Sequence, residues 1–203
     1  IGTVVCVKGS VVIDERAPGG AELHDASIEV IVPVEDAPPV EIDKPLDHKP
    51  DNLDTLFEYR PIGLRNLQET AILKIQSTVK DEVRKSLMSQ DFVEFNSPKL
   101  LPGATEGGAE VFKLDYFGKE ATLAQSAQFY KQIMVGVFER AFEINPTYRA
   151  ELSATTRHMT EFIHIDAEAG FITFEELMAI MSKIVNDAVD AVWNKYEVEL
   201  KRW

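Results

Sequence analysis

The chain has 203 residues, with 34 acidic against 21 basic side chains and a formal net charge of −13. That balance excludes a nonspecific polyanion-binding coat, so any RNA contact must come from a local basic patch or from parts outside this chain. A hydrophobic content of 45% can fill a core in one or two domains, and no apolar run has transmembrane length, so a soluble, cytoplasmic protein with no membrane partner is expected.

Residues 1–34 alternate short apolar stretches at 4–7, 11–13 and 28–32 with turn chemistry at Ala17-Pro18-Gly19-Gly20. This is the pattern of an all-β piece too small to close a core alone. Cys6, the single cysteine, lies in Val4-Val5-Cys6-Val7 and reads as a buried small hydrophobe; with no disulfide framework, a reducing compartment fits. Residues 35–66 carry Pro38, Pro39, Pro45, Pro50 and Pro61 among many acids. Proline fixes the chain and removes donors, so a stiff connector is expected there rather than a packed element. Residues 1–66 hold 13 acidic and 6 basic side chains, which makes the acidity densest outside 67–203.

Asn66 is a candidate N-cap with Glu69 in capping-box position, and Ile72, Ile75, Val79, Val83 and Leu87 trace one face of the helix that follows. Phe92-Val93-Glu94-Phe95-Asn96-Ser97-Pro98 reads as a strand stopped by proline. Thr105-Glu106-Gly107-Gly108 is a turn whose two glycines could also hinge a carboxylate onto a ligand amine, ahead of a strand at 111–116. A second long helix starts at Thr173, capped reciprocally by Glu176, with Phe174, Leu177, Met178, Met181, Val185, Ala188, Val189, Val192 and Tyr196 expected in the core.

Between these helices, two adjacent strands are expected to contain Tyr148-Arg149-Ala150-Glu151 and Glu161-Phe162-Ile163-His164-Ile165-Asp166-Ala167-Glu168. Alternation puts Arg149 with Glu151, and Phe162, His164, Asp166 and Glu168 together, opposite an apolar face of Ile163, Ile165 and Ala167. Such a floor suits a ligand: arginine forks onto phosphate or carboxylate, an aromatic ring plates a flat base, and acids accept from amino groups. A solvated sheet face with ordinary cross-strand ion pairs is the alternative on these residues alone.

The order of residues adds more. Tyr148-Arg149-Ala150-Glu151, a loop, then Arg157-His158-Met159-Thr160-Glu161-Phe162 resembles the second motif of class II aminoacyl-tRNA synthetases, in the aspartyl and asparaginyl branch; Tyr148 replaces the usual Phe. The helix from Asn66 with the strand ending at Pro98 resembles the first motif, which in the family builds a homodimer interface. Gln125-Ser126-Ala127-Gln128-Phe129-Tyr130-Lys131-Gln132 resembles the branch's Gln-Ser-Pro-Gln-x-x-Lys-Gln, with Ala127 for Pro. The fold class implied is α+β: the first part of an antiparallel-sheet catalytic domain over 67–203, preceded by an acidic linker over 35–66 and by the end of an oligonucleotide-binding β-barrel over 1–34.

The resemblance implies ATP-dependent activation of L-aspartate and its transfer to tRNA. Arg149 would be the catalytic residue, holding the ATP α-phosphate and the substrate carboxylate. Glu151, Arg157, His158, Met159, Glu161 and Phe162 would complete the ATP site, with Phe162 stacked on the base and Arg157 and His158 on the outer phosphates. Glu106, Gln128, Lys131 and Asp166 would join Arg149 around aspartate, with Lys131 selecting a carboxylate over an amide and Asp166 binding the α-ammonium. His164 receives no role. The family's third motif does not occur before Trp203, so the principal ligands of ATP-bound Mg2+ are expected outside this chain, which on this reading is an incomplete synthetase, inactive alone. The alternatives are an asparaginyl-tRNA synthetase, an asparagine-forming ligase, or a non-catalytic synthetase-like binding paralogue.

Overall fold

The computed structural model describes residues 2–46, 50–105, 110–153, 155 and 158–201, with the side chains of 50–52 left aside. Glu106 and Arg157, two of the candidate site residues, lie outside the described residues. The chain divides into two compact units, one built from residues up to 74 together with the last residues after Leu200, the other from 75–200.

The first unit opens with an antiparallel ribbon of two long strands, β1 (Val4–Ile13) and β2 (Ala21–Val32), where three shorter stretches were expected. The register slips between Lys8 and Ser10. A Cβ on Gly9 would lie 2.8 Å from the His24 carbonyl, so the bulge needs glycine there. Cys6 is half-buried in this ribbon rather than buried.

The proline-rich segment is more ordered than a connector: it carries α1 (Pro50–Glu58) and α2 (Arg60–Gly63), and it buries Val40 and Leu56. The reason lies in Asn66, only 2% exposed. Its Oδ1 accepts from Gln68 N at 2.9 Å and so caps α3 (Leu67–Met88), while its Nδ2 donates to the carbonyls of Glu41 at 3.1 Å and Lys44 at 2.7 Å. One amide thus caps a helix and holds the preceding loop. The expected capping box is only half made: Asn66 N donates to Gly63 O, and the Glu69 carboxylate pairs with Arg60 instead.

In the second unit, β3 (Val93–Glu94) lies parallel to β7 (Arg140–Tyr148), and β7 pairs antiparallel with β8 (Glu161–Ala169), giving the order β3-β7-β8. A smaller antiparallel sheet is ordered β4 (Leu100–Leu101), β6 (Lys119–Leu123), β5 (Lys113–Tyr116). The β5–β6 hairpin turns on Phe117 and Gly118, both at positive φ, a type I′ pair matched to the strand twist. Helix α4 (Gln128–Phe138) packs Tyr130, Met134 and Val135 against Phe95, Ala127 and Ala141 on one face of the larger sheet.

On the other face, α3 and α5 (Phe174–Leu200) cover β7: Val83, Leu87, Phe92, Phe142, Ile144, Ile180 and Ala188 form the principal cluster. Thr173 and Glu176 cap α5 reciprocally, at 2.6 and 3.2 Å. The α5 positions facing the core are Ile180, Ile184 and Ala188, with Tyr196 buried further on. Phe174, Leu177, Met178, Met181, Val185 and Val189, expected inside, are exposed, because one helix face suffices to cover a single strand. For the same reason Ile163 and Ile165 of β8 remain 46% and 41% exposed rather than buried. Ile165 lines an open apolar groove with Val79, Val83, Ile184 and Ala188.

Glu143, at 2% exposure, ties the end of the β3 segment to the sheet. Its carboxylate accepts from Ser97 N at 2.8 Å, Ser97 Oγ at 2.9 Å, Lys99 Nζ at 2.5 Å and Asn145 Nδ2 at 3.1 Å. Burial opposes the charge, yet these donors outweigh it and hold the Glu143 carboxyl below its usual range. The stabilisation is therefore present above the ordinary value of 4.5 and is lost as pH falls through the lower folded value. Glu143→Ala is expected to cost about 2–4 kcal/mol in urea unfolding at pH 7, and Glu143→Gln to flatten the acid limb of the stability profile. Asn66→Ala is expected to cost about 1–2 kcal/mol, with Asn66→Asp recovering only the capping share, since a carboxylate cannot donate to the two loop carbonyls.

Candidate active site

The site face of the larger sheet follows from the β7–β8 register. Glu143 stands opposite Asp166, Asn145 opposite His164, and Thr147 opposite Phe162. One face therefore carries Phe162, His164, Asp166 and Glu168 in line, as alternation requires, and α4 packs over the Ala141 end of it.

Asp166 is the acid at the centre of this floor, with 7% of its side chain exposed. Its Oδ1 accepts from Lys131 Nζ at 2.8 Å, and its Oδ2 lies 3.4 Å from the Ala127 N–H at the start of α4, where the helix dipole favours an anion. Lys131 sits in the first turn of α4, 14% exposed, and also reaches Glu168 at 3.2 Å. Burial works against the Lys131 charge, but the hydrogen bonds and charges of Asp166 and Glu168 more than offset it, so the ammonium is held above its ordinary range. Its stabilisation persists below the usual lysine value and is lost only as pH rises through the raised one.

Arg149 and Glu151 lie past the end of β7 rather than in the strand, which closes at Tyr148. The backbone still follows the sheet for one more step, since Arg149 N donates to Thr160 O at 3.0 Å, and then turns, with Glu151 N donating to Arg149 O at 2.8 Å. The Arg149 guanidinium lies 5.6 Å from the Phe162 ring centroid, and its Nε is buried without a hydrogen-bond partner among the described residues. A buried guanidinium nitrogen with spare donor capacity beside an aromatic face suits a planar anionic ligand.

The remaining expected residues are more dispersed. Gln128, half-buried, opens α4 with its backbone N–H on Ser126 Oγ at 3.1 Å. His158 is exposed and its Nδ1 is 2.7 Å from Thr155 Oγ1; Met159, Glu161 and Glu151 are also exposed. Leu152 is 89% exposed because the strand has ended. Lys131, Arg149, Phe162 and Asp166 thus share one floor, whereas Glu151, His158, Met159 and Glu161 are exposed.

Two contributors escaped the sequence reading. Glu168 was placed on the right face but given no task, although it is the second acid on Lys131. The Glu143 anchor beneath Asp166 was missed altogether; a lone acid within Ala141-Phe142-Glu143-Ile144 and the donor pair Ser97 and Lys99 around Pro98 were its signals. Among the described residues no group of three or more His, Cys, Asp or Glu is arranged to hold a metal ion. The described residues therefore do not form a Mg2+ site. No described helix is long and apolar enough to cross a membrane.

Comparison with known proteins bears on the family of the chain. The aspartate–tRNA(Asp/Asn) ligase of Saccharolobus solfataricus is 41% identical over 199 residues, covering 98% of this chain and 46% of the relative. That of Thermus thermophilus is 42% identical over 196 residues, covering 96% and 46%. Among solved structures, the asparaginyl-tRNA synthetase of Pyrococcus horikoshii complexed with asparaginyl-adenylate superposes with a TM-score of 0.84 at 35% identity, over 98% of this chain and 45% of that one. The chain spans about half the length of the curated relatives it matches. Residues 52–202 match the family of class II tRNA synthetases (D, K and N), and the chain belongs to that family.

Proposed function

We propose that this chain is part of an aspartate–tRNA ligase that activates L-aspartate with ATP and transfers it to tRNA. The observation that carries the reading is the Lys131–Asp166 pair, a part-buried ammonium and a buried carboxylate on one floor beside Arg149. A zwitterionic substrate with a side-chain carboxylate has the complementary charges: its α-ammonium suits Asp166 and its carboxylate suits Lys131. An amide side chain would leave the Lys131 charge poorly matched, which favours aspartate over asparagine, although an asparaginyl-tRNA synthetase is among the structural neighbours.

In this reading Phe162 plates the adenine and Arg149 receives the charge that grows on the α-phosphate as the aspartate carboxylate attacks and pyrophosphate leaves. Glu151, Arg157, His158, Met159 and Glu161 would complete the nucleotide site, and Glu106 and Gln128 would contact the amino acid. No covalent enzyme intermediate is needed, so positioning and electrostatics supply the rate. The tRNA hydroxyl then takes the aspartyl group from the adenylate. A homodimer and the division at 1–34, 35–66 and 67–203 belong to the same proposal. The inward turn of Val83 and Leu87 to this chain's own core leaves the other faces of α3 for any partner.

In the complete gene product, Lys131→Ala is expected to raise the aspartate requirement of pyrophosphate exchange by roughly ten- to a hundredfold, the size of a lost charge-assisted contact of about 1.5–3 kcal/mol, with ATP nearly unaffected. Equal losses for both substrates, or exchange driven by asparagine as well as by aspartate, would remove the assignment.

A further inference from the structure

Between the aromatic plate and the acid of this floor stands a titratable side chain to which the aspartate-activating reading gives no task. The His164 ring meets the edge of Phe162 at 5.8 Å between centroids and 65° between planes, and its Nδ1 lies 3.9 Å from Asp166 Oδ2. The two Asp166 oxygens differ. Oδ1 is taken by the Lys131 ammonium at 2.8 Å, whereas Oδ2 has the long 3.4 Å contact to the Ala127 N–H, so the imidazole faces the more open oxygen.

We infer that His164 is a positioning residue that gates Asp166 by its own protonation. With a neutral ring, Oδ2 remains open to an incoming α-ammonium; the imidazolium is a second cation aimed at the same oxygen and competes with it. The inference rests on the aspartate-activating reading and adds a proton-linked control of that site.

Among the described residues, the charged groups near the ring are Asp166 and Glu168 on β8, Glu143 on β7 with its Lys99 partner, Lys131 on α4, and Arg149 beyond β7 against Phe162. Carboxylates ordinarily titrate near pH 4 and lysine and arginine above about 10, so imidazole is the type whose charge changes between about pH 6 and 8. The Glu143 carboxyl is held lower still and the Lys131 ammonium higher, which moves both further from that window. Affinity for an ammonium-bearing ligand should therefore fall as pH falls through the imidazole titration. By reciprocity, bound amino acid should lower the pH at which the imidazole takes its proton.

The test is L-aspartate binding to the complete gene product between pH 8 and 5.5. We expect binding to weaken roughly three- to tenfold toward pH 5.5, a modest span because the ring is partly solvated. His164→Asn should flatten the profile at the tight-binding level, and His164→Lys should bind weakly across the whole range. A measurement on the unaltered protein guards against a misfolded variant: the His164 ring resonances, titrated by NMR with and without saturating L-aspartate, should move to a lower midpoint with ligand. A flat profile in the unaltered protein, an undiminished slope in His164→Asn, or a midpoint that stays or rises would overturn the inference while leaving aspartate activation standing. Failure of L-aspartate to bind even at pH 8 would remove the aspartate reading and this inference with it.

Discussion

The pairing of β7 with β8 is the constraint on which the rest of the site depends. Side chains alternate along a strand, so a slip of one residue would carry Phe162, His164, Asp166 and Glu168 to the helix-covered face and bring Ile163 and Ile165 up in their place. Two features oppose that slip. Phe142 and Ile144 are locked beneath β7 by α3 and α5, and Glu143 on the upper face is tied to Ser97 and Lys99. An acid that is buried and fully bonded tolerates one register only, because any other leaves its charge without donors. The anchor thus sets the height and direction of the neighbouring strand, and Asp166, directly opposite, inherits its position.

The parts of this arrangement that were legible in the sequence are those governed by short-range rules. The Thr173–Glu176 box, the start of α3 at Asn66 and the alternation along β8 all depend on spacings of two to four residues. The parts that were not legible depend on which surface the chain covers with what. Nothing local shows that β7 stops at Tyr148, because Arg149 N keeps a sheet-like bond to Thr160 O after the strand has formally ended. Nothing local distinguishes the core-facing Ile180 and Ile184 of α5 from the equally apolar Met181 and Val185, which face away. The acidic, proline-rich stretch misled for a related reason. Composition describes its solvation, whereas its order comes from distant contacts, among them the Asn66 amide reaching back more than twenty residues.

The family assignment and the chemistry of the floor support one another without being the same argument. The match over residues 52–202 would hold for a chain that had lost its ligand-binding groups. The part-buried Lys131, the Arg149 Nε without a hydrogen-bond partner among the described residues, and the Phe162 face are what the proposed binding site would need and a merely structural descendant would have no reason to keep.

The Lys131–Asp166 bridge carries one more consequence. On the aspartate-activating reading, a ligand enters this floor by exchange with charges already in place. A simple amine at Asp166 would leave Lys131 to Glu168 alone, and a simple carboxylate at Lys131 would leave Asp166 without its ammonium. Either leaves a part-buried ion with fewer counter-charges than before, which costs free energy. Only a molecule bearing both signs at the right separation can take both places at once. On that reading the bridge would favour dipolar ions over metabolites that bring a single charge.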